Sequence, residues 1–131
     1  MIIAYHRPDQ ISVALQLLAD PLGNTVPLGG GTKLNQPGGK PFAVVDLQDL
    51  GLDQFEKRGK QLLLGASASL QAVLDWPEMQ PAFQQILRAE ANLNRRQVAT
   101  VAGTLVATDG RSAFTAALLA LDASLTLEPA G

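Results

Sequence analysis

Three consecutive glycines, Gly29-Gly30-Gly31, follow directly on a short apolar run from Thr25 to Leu28. They remove three Cβ atoms in a row and permit positive φ, so the chain must leave the run in a loop. Successive backbone N–H groups in such a loop can converge into an anion-binding nest, for which a diphosphate is a suitable guest; the other reading is a flexible turn. The segment continues Thr32-Lys33-Leu34, so it is not G-x-G-x-x-G, and G-x-x-x-x-G-K-[ST] occurs nowhere in the chain. Lys33 is either a charge contact to phosphate or a solvated side chain.

The flanking pattern places this loop among alternating strands and helices. Ile2 to Tyr5 reads as a strand closed by Arg7-Pro8, with Asp9 as a candidate N-cap. Ile11, Ala14, Leu15, Leu17 and Leu18 recur at helical spacing, giving an amphipathic helix over Gln10 to Ala19 that Asp20-Pro21 stops. Thr25 to Leu28 is the second strand, and Phe42 to Leu47 a strong third. The helical crossover predicts that the first two strands are parallel neighbours. Gln48 to Lys60 is polar and reads as a turn or short hairpin, and Gln61 to Gly65 as a strand. Ser67 or Ser69 caps a helix containing Leu70, Val73 and Leu74, which Trp76-Pro77 ends. Glu78 or Pro81 opens a longer helix with Phe83, Ile86, Leu87 and Leu93 on its apolar face. Val98 to Ala107 reads as loop or irregular strand, Ala113 to Leu121 as a buried helix, and Ser124 to Leu127 as a final strand.

Composition removes several classes of chemistry. The chain of 131 residues is 47% hydrophobic, with a formal net charge of -2, which leaves no electrostatic footprint for nucleic acid or an anionic membrane. It has no cysteine and one histidine, His6, so thiolate nucleophiles, Fe–S ligation and multi-histidine metal sites are excluded within it. The N-terminal stretch lacks the features of a signal peptide, and no run reaches the roughly 18 apolar residues of a membrane span. A cytoplasmic location is the simplest expectation. Asp46, Asp49 and Asp53 read as a polar rim without catalytic work.

Two further segments are rich in small residues. In Leu64-Gly65-Ala66-Ser67-Ala68-Ser69-Leu70 a strand ends in glycine and a helix begins. This is either an approach for a phosphate or polar ring edge, or an ordinary capped helix start. In Arg95-Arg96-Gln97-Val98-Ala99-Thr100-Val101-Ala102-Gly103-Thr104-Leu105 the backbone packs closely against a flat ligand, or against other parts of the interior. Arg96 there binds an anion or caps a helix C-terminus.

Taken in order, these segments resemble the FAD-binding domain of the molybdopterin dehydrogenases, the flavin module of xanthine dehydrogenase and carbon monoxide dehydrogenase. Gly29-Gly30-Gly31-Thr32-Lys33-Leu34 is similar to that family's A-G-G-T-D-L loop, and Val44-Val45-Asp46-Leu47 to its V-D-L strand. Leu64 to Leu70 resembles its I-G-A-x-T-T-L turn, Arg96 to Leu105 its R-N-x-A-T-I-G-G-N-L segment, and Leu118 to Ala123 its L-L-A-L-D-A helix end. The resemblance implies an α+β (α/β-like) fold of the two-lobed PCMH type, shortened at its C-terminus, with sub-lobes of about residues 1–49 and 50–131. It implies FAD extended in the cleft between them. Its contacts would be Leu28, Gly29, Gly30, Gly31, Thr32, Lys33 and Leu34 around the diphosphate, with Gly65, Ala66, Ser69, Arg96, Thr100, Ala102, Gly103, Thr104 and Asp109 completing the site. The sequence departs from the family at Lys33, Gln97, Thr104 and Ala113, where Asp109 stands close enough to replace the family's aspartate.

The function implied is a redox flavoprotein component, not active alone, relaying electrons beside separate molybdopterin and Fe–S subunits or as a homodimer. No residue pair presents itself as general acid and base. The alternatives are a divergent remnant that serves assembly or interaction without FAD, and a binder of another phosphate-bearing ligand through the triple-glycine loop alone.

Overall fold

A computed structural model describes residues 1–34, 39–107 and 112–127. The first layer is a three-stranded parallel sheet of β1 (Ile2–His6), β2 (Thr25–Leu28) and β3 (Phe42–Asp46), with helix α1 (Ile11–Leu18) between the first two in sequence. Gln10 rather than Asp9 holds the cap position of α1, without a side-chain cap bond. The strand order is β1-β3-β2, so the first two strands are parallel but not neighbours. Burial explains the difference. Val44, Val45 and Asp46 of β3 are fully buried, and the strand that is apolar on both faces takes the centre, leaving the partly exposed β1 and β2 at the edges.

After a 3₁₀ turn at Gln48–Leu50, the strands β4 (Phe55–Arg58) and β5 (Gln61–Leu64) form an antiparallel hairpin, turning through Gly59 at φ 61°, so the strand expected at Gln61 pairs with the end of the polar segment rather than following a hairpin inside it. Phe55 stacks on Trp76 with ring centroids 5.1 Å apart, which seats the hairpin on helix α2 (Leu70–Asp75). Ser69 caps α2 by accepting from the Ala72 N–H, and Pro81 opens helix α3 (Pro81–Glu90) at its first turn.

The chain then departs from the sequence expectation. Ala91 and Asn92 are extended, Asn92 caps a new helix α4 (Leu93–Val98), and Leu93 is exposed rather than on the apolar face of α3. Val98 to Ala107 is not an irregular strand: Val98 ends α4, and helix α5 (Val101–Ala107) starts three residues later. The β-branched Val98, Thr100, Val101 and Thr104 suggest a strand, but the Thr100 hydroxyl accepts from the Gly103 N–H at 3.1 Å and starts a helix instead. Helix α6 (Ala113–Ala120) follows, capped by Ser112 and by the Glu90 carboxylate, which accepts from the Phe114 N–H at 3.2 Å. It ends in a Schellman turn. Ala123 N–H bonds to Leu118 C=O, Asp122 N–H bonds to Leu119 C=O, and Asp122 is held at φ 54°. Ser124 to Leu127 is exposed and pairs with no described strand.

The core of the helical layer gathers Leu70, Val73, Phe83, Leu87 and Phe114, with the Phe83 and Phe114 rings 5.9 Å apart. Among the described residues, no helix is long and apolar enough to cross a membrane.

Candidate functional site

The site forms where the parallel sheet meets the α4–α5 junction. The β2–β3 ladder ends with the Leu47 N–H donating to Leu28 C=O at 3.1 Å, and the chain leaves the sheet at Gly29. Two of the three glycines are required by packing. A Cβ on Gly30 would stand 1.6 Å from the Val98 carbonyl oxygen, and one on Gly29 would stand 2.8 Å from Thr100 Oγ1. Gly31 is required by conformation, at φ 72°. The loop is therefore packed against the α4–α5 corner.

Pressed in this way, the loop keeps its amides unused. No described hydrogen bond takes a proton from the N–H groups of Gly29, Gly30, Gly31, Thr32 or Lys33. Five successive donors without an acceptor among the described residues make this loop a candidate anion site, half-buried at Gly29, Gly30 and Gly31 and exposed at Thr32 and Lys33. A cleft opens on each side of the loop. The larger, about 330 Å³, is lined by Gly29, Gly30, Ser69 and Thr100 together with Gln48, Ser67, Gln97 and Val98. The smaller, about 160 Å³, is lined by Thr32, Lys33, Gly103 and Thr104, and by Leu70, Glu90, Ala91, Arg95, Ala99 and Ala107. Lys33 and Arg95 form no ion pair with any described residue. The larger cleft is thus neutral and polar, and the smaller one carries two cations beside Glu90.

Eight of the predicted residues therefore border the clefts. The others lie around them. Leu28 ends β2, and Gly31 and Leu34 continue the loop. Gly65 allows the chain to cross the Leu52–Gln54 backbone, where a Cβ would come within 2.2 Å of the Leu52 carbonyl oxygen. Ala66 and Ala102 are bonded to each other, the Ala102 N–H donating to Ala66 C=O at 3.0 Å. Beside them the Leu70 N–H bonds Ala99 C=O and the Val101 N–H bonds Ala68 C=O, so the two small-residue segments are zipped together. Arg96 donates to Gln71 Oε1 at 2.9 Å and to Ala91 C=O, closing the C-terminal end of α3. Asp109 lies outside the described residues.

Gln48, Ser67, Val98, Glu90 and Arg95 were not among the predicted site residues. Gln48 carried a readable signal: in an Asp-x-Gln stretch after a strand, the carboxylate can bond the backbone two residues on, and here Asp46 Oδ1 accepts from the Gln48 N–H at 3.0 Å. Asp46 is not a rim residue. It is buried and accepts from the Tyr5 hydroxyl and from Gln48 Nε2 at 3.1 Å. The hydrogen bond to Asp46 holds the Tyr5 phenol above its ordinary pKa. Asp49 is at the rim, in a two-pronged pair with Arg7 at 2.7 and 3.0 Å that holds its carboxyl below the usual range.

The fold is a mixed α+β one, with a glycine loop whose amides have no described acceptor lying between two clefts. Residues 1–131 match the family described as the FAD binding domain in molybdopterin dehydrogenase, and the chain belongs to that family. It is 32% identical over 127 residues to the uncharacterized protein YgfM of Escherichia coli (strain K12), covering 95% of this chain and 49% of the relative. The chain thus spans about half the length of the curated relatives it matches. Among solved structures, it is similar to the cyanide-inactivated Cu,Mo-CO dehydrogenase, with a TM-score of 0.70 and 26% identity over 79% of this chain and 39% of that one. It is also similar to the reconstituted CO dehydrogenase from Oligotropha carboxidovorans, with a TM-score of 0.68 and 27% identity over 76% of this chain and 38% of that one. The Hydrogenophaga pseudoflava enzyme that lacks the Mo-pyranopterin moiety shares the fold, at a TM-score of 0.68 and 19% identity over 76% of this chain and 38% of that one.

Proposed function

We propose that this chain binds FAD along the glycine loop and serves as the flavin-holding part of a cytoplasmic, molybdenum-hydroxylase-like oxidoreductase. The observation that carries the reading is the run of five free amides from Gly29 to Lys33 between the two clefts. The donor set fits a diphosphate: backbone N–H groups for the phosphate oxygens, and the Lys33 and Arg95 side chains as nearby cations. The clefts lie on either side of the loop, in the arrangement that the two halves of an extended dinucleotide would need. FAD would supply the redox chemistry. The protein's share is to fix the loop, which Gly30 does by seating against Val98 and Thr100 by filling the space over Gly29 and Gly103.

These 131 residues hold no cysteine for an Fe–S cluster, so electron relay draws on molybdopterin and Fe–S groups held outside them. We take the sub-lobes to be about residues 1–49 and 50–131, with the ligand at their junction. A second reading, an assembly role, is favoured by one observation. Val106, Leu119, Leu121, Leu125 and Leu127 are all exposed, five large apolar side chains within the last described residues that a partner could cover.

The deciding experiment is an absorbance spectrum of the purified protein followed by FAD titration read through Trp76 and flavin fluorescence. Saturable, near-stoichiometric binding is expected. A folded protein that ignores FAD at high micromolar concentration refutes the flavoprotein reading and leaves the assembly role.

A further inference from the structure

The larger cleft is rich in donors. Gly29 and Gly30 present free amides, and the Ser69 and Thr100 hydroxyl oxygens already accept from the Ala72 and Gly103 N–H groups, leaving their protons to face outward. Gln97 also lines this cleft, and no described bond fixes its amide. Gln48 is different. Asp46, fully buried at the end of β3, accepts from the Tyr5 hydroxyl, the Gln48 backbone N–H and Gln48 Nε2. A carboxylate in that position accepts and does not donate, so the Gln48 amide must turn its NH₂ to Asp46. Its carbonyl oxygen is then the end left over, and it accepts from no described residue.

We propose that Gln48 is the ligand-selecting acceptor of the larger cleft, locked in one amide orientation by Asp46, and that it takes a hydrogen bond from a hydroxyl or ring N–H of the bound dinucleotide. This rests on the FAD reading above. Asp46 is a positioning residue: it touches no ligand and acts only by deciding which end of the Gln48 amide faces the cleft. An amide free to turn would offer donor or acceptor alike and would discriminate less.

The test is a set of four proteins, wild type, Gln48→Met, Asp46→Asn and the double variant, each titrated with FAD and with ADP-ribose. Gln48→Met keeps the side-chain length and removes both ends of the amide, and it should weaken FAD binding about tenfold. Its Trp76 emission should match wild type, and its thermal midpoint should fall by only about 5 °C, because Asp46 loses one of its three donors but keeps the Tyr5 hydroxyl and the Gln48 backbone N–H. Asp46→Asn lets the Gln48 amide turn over and should weaken FAD several-fold in the wild-type background but not in the Gln48→Met background. That non-additivity is a result a merely structural role does not give. An equal loss for ADP-ribose puts the ligand donor in that half of the molecule. A loss confined to FAD puts it in the flavin-bearing half. Both support the proposal. Wild-type-like FAD binding by Gln48→Met overturns it, as does an equal Asp46→Asn effect in both backgrounds. Wild type that binds no FAD overturns this proposal together with the reading on which it rests. Gln48→Met carries the test even if Asp46→Asn does not fold.

Discussion

Gly30→Ala is the sharpest probe of how the glycine loop is held. Its new methyl carbon would lie 1.6 Å from the Val98 carbonyl oxygen and 2.5 Å from the carbonyl carbon. Real Cβ contacts stop near 3.0 Å, so loop and α4 must part by roughly 1.4 Å. Both partners are backbone, and neither can swing aside as a side chain would. Overpacking of this kind costs about 3 kcal/mol, the upper end of the usual range. Gly31→Ala is the internal control. Its methyl meets only Leu28 Cδ1 at 3.4 Å, and the damage comes from φ 72°, about 1–2 kcal/mol. For a chain of this size the Gly30→Ala midpoint should fall by about 10–15 °C and that of Gly31→Ala by about half as much. Thermal unfolding followed by Trp76 fluorescence measures both. A Gly30→Ala protein that melts with wild type, or above Gly31→Ala, would refute the seating of the loop on Val98. The comparison also bears on ligand assays. Lost FAD binding in Gly30→Ala would reflect a displaced loop, so Gly31→Ala is the better variant for testing the amides themselves.

Lys33→Glu should leave the melting midpoint unchanged within about 1 °C, as expected for an exposed side chain with no ion-pair partner among the described residues, and weaken FAD about tenfold at low salt, less at high salt; unchanged affinity at low salt would remove Lys33 from the site. Asp122→Gly should stabilise the protein by about 0.5–1 kcal/mol in urea unfolding, because Asp122 occupies the left-handed position of the Schellman turn. Tyr5 is the single tyrosine, so its ionisation can be followed in the near-ultraviolet without overlap. It should titrate above 10.0 in the folded protein and return toward that value in Asp46→Asn. Because the folded state holds the phenolic proton more tightly, the associated stability is full below pH 10.0 and declines as pH rises through the folded value. A normal Tyr5 titration in the wild type would contradict the bond to Asp46.

The parts of this fold governed by local chemistry were legible in the sequence. Ser69 as a cap, Pro81 as a helix start, Trp76-Pro77 as a stop and the strand at Phe42 each depend on residues within one or two turns of the chain. The strand order was not legible, because it is set by which strand buries both faces, and the crossover rule speaks only to direction. The α4–α5 corner was misread for a related reason: four β-branched residues carry a strand preference that one side-chain bond, from Gly103 N–H to Thr100 Oγ1, reverses. At the site, the glycine loop was visible but its cause was not. Gly30 is glycine because of a carbonyl in α4, and nothing near it in sequence says so. The small-residue segment around Ala102 was readable as close packing, and its partner proves to be the one around Ala66, which reads in the sequence only as a ligand approach or a helix start.

The order β1-β3-β2 also dictates the sequence of events when the chain folds. Each edge strand bonds only to β3 among the described strands, so neither can enter a sheet until residues 42–46 exist and arrive. During synthesis the first two strands emerge with their apolar side chains and free edges waiting for a partner made later. The glycine loop waits with them, since its seat on Val98 comes later still. The candidate site is therefore assembled from segments far apart in the chain, and its loop is seated only once the residues around Val98 have been made.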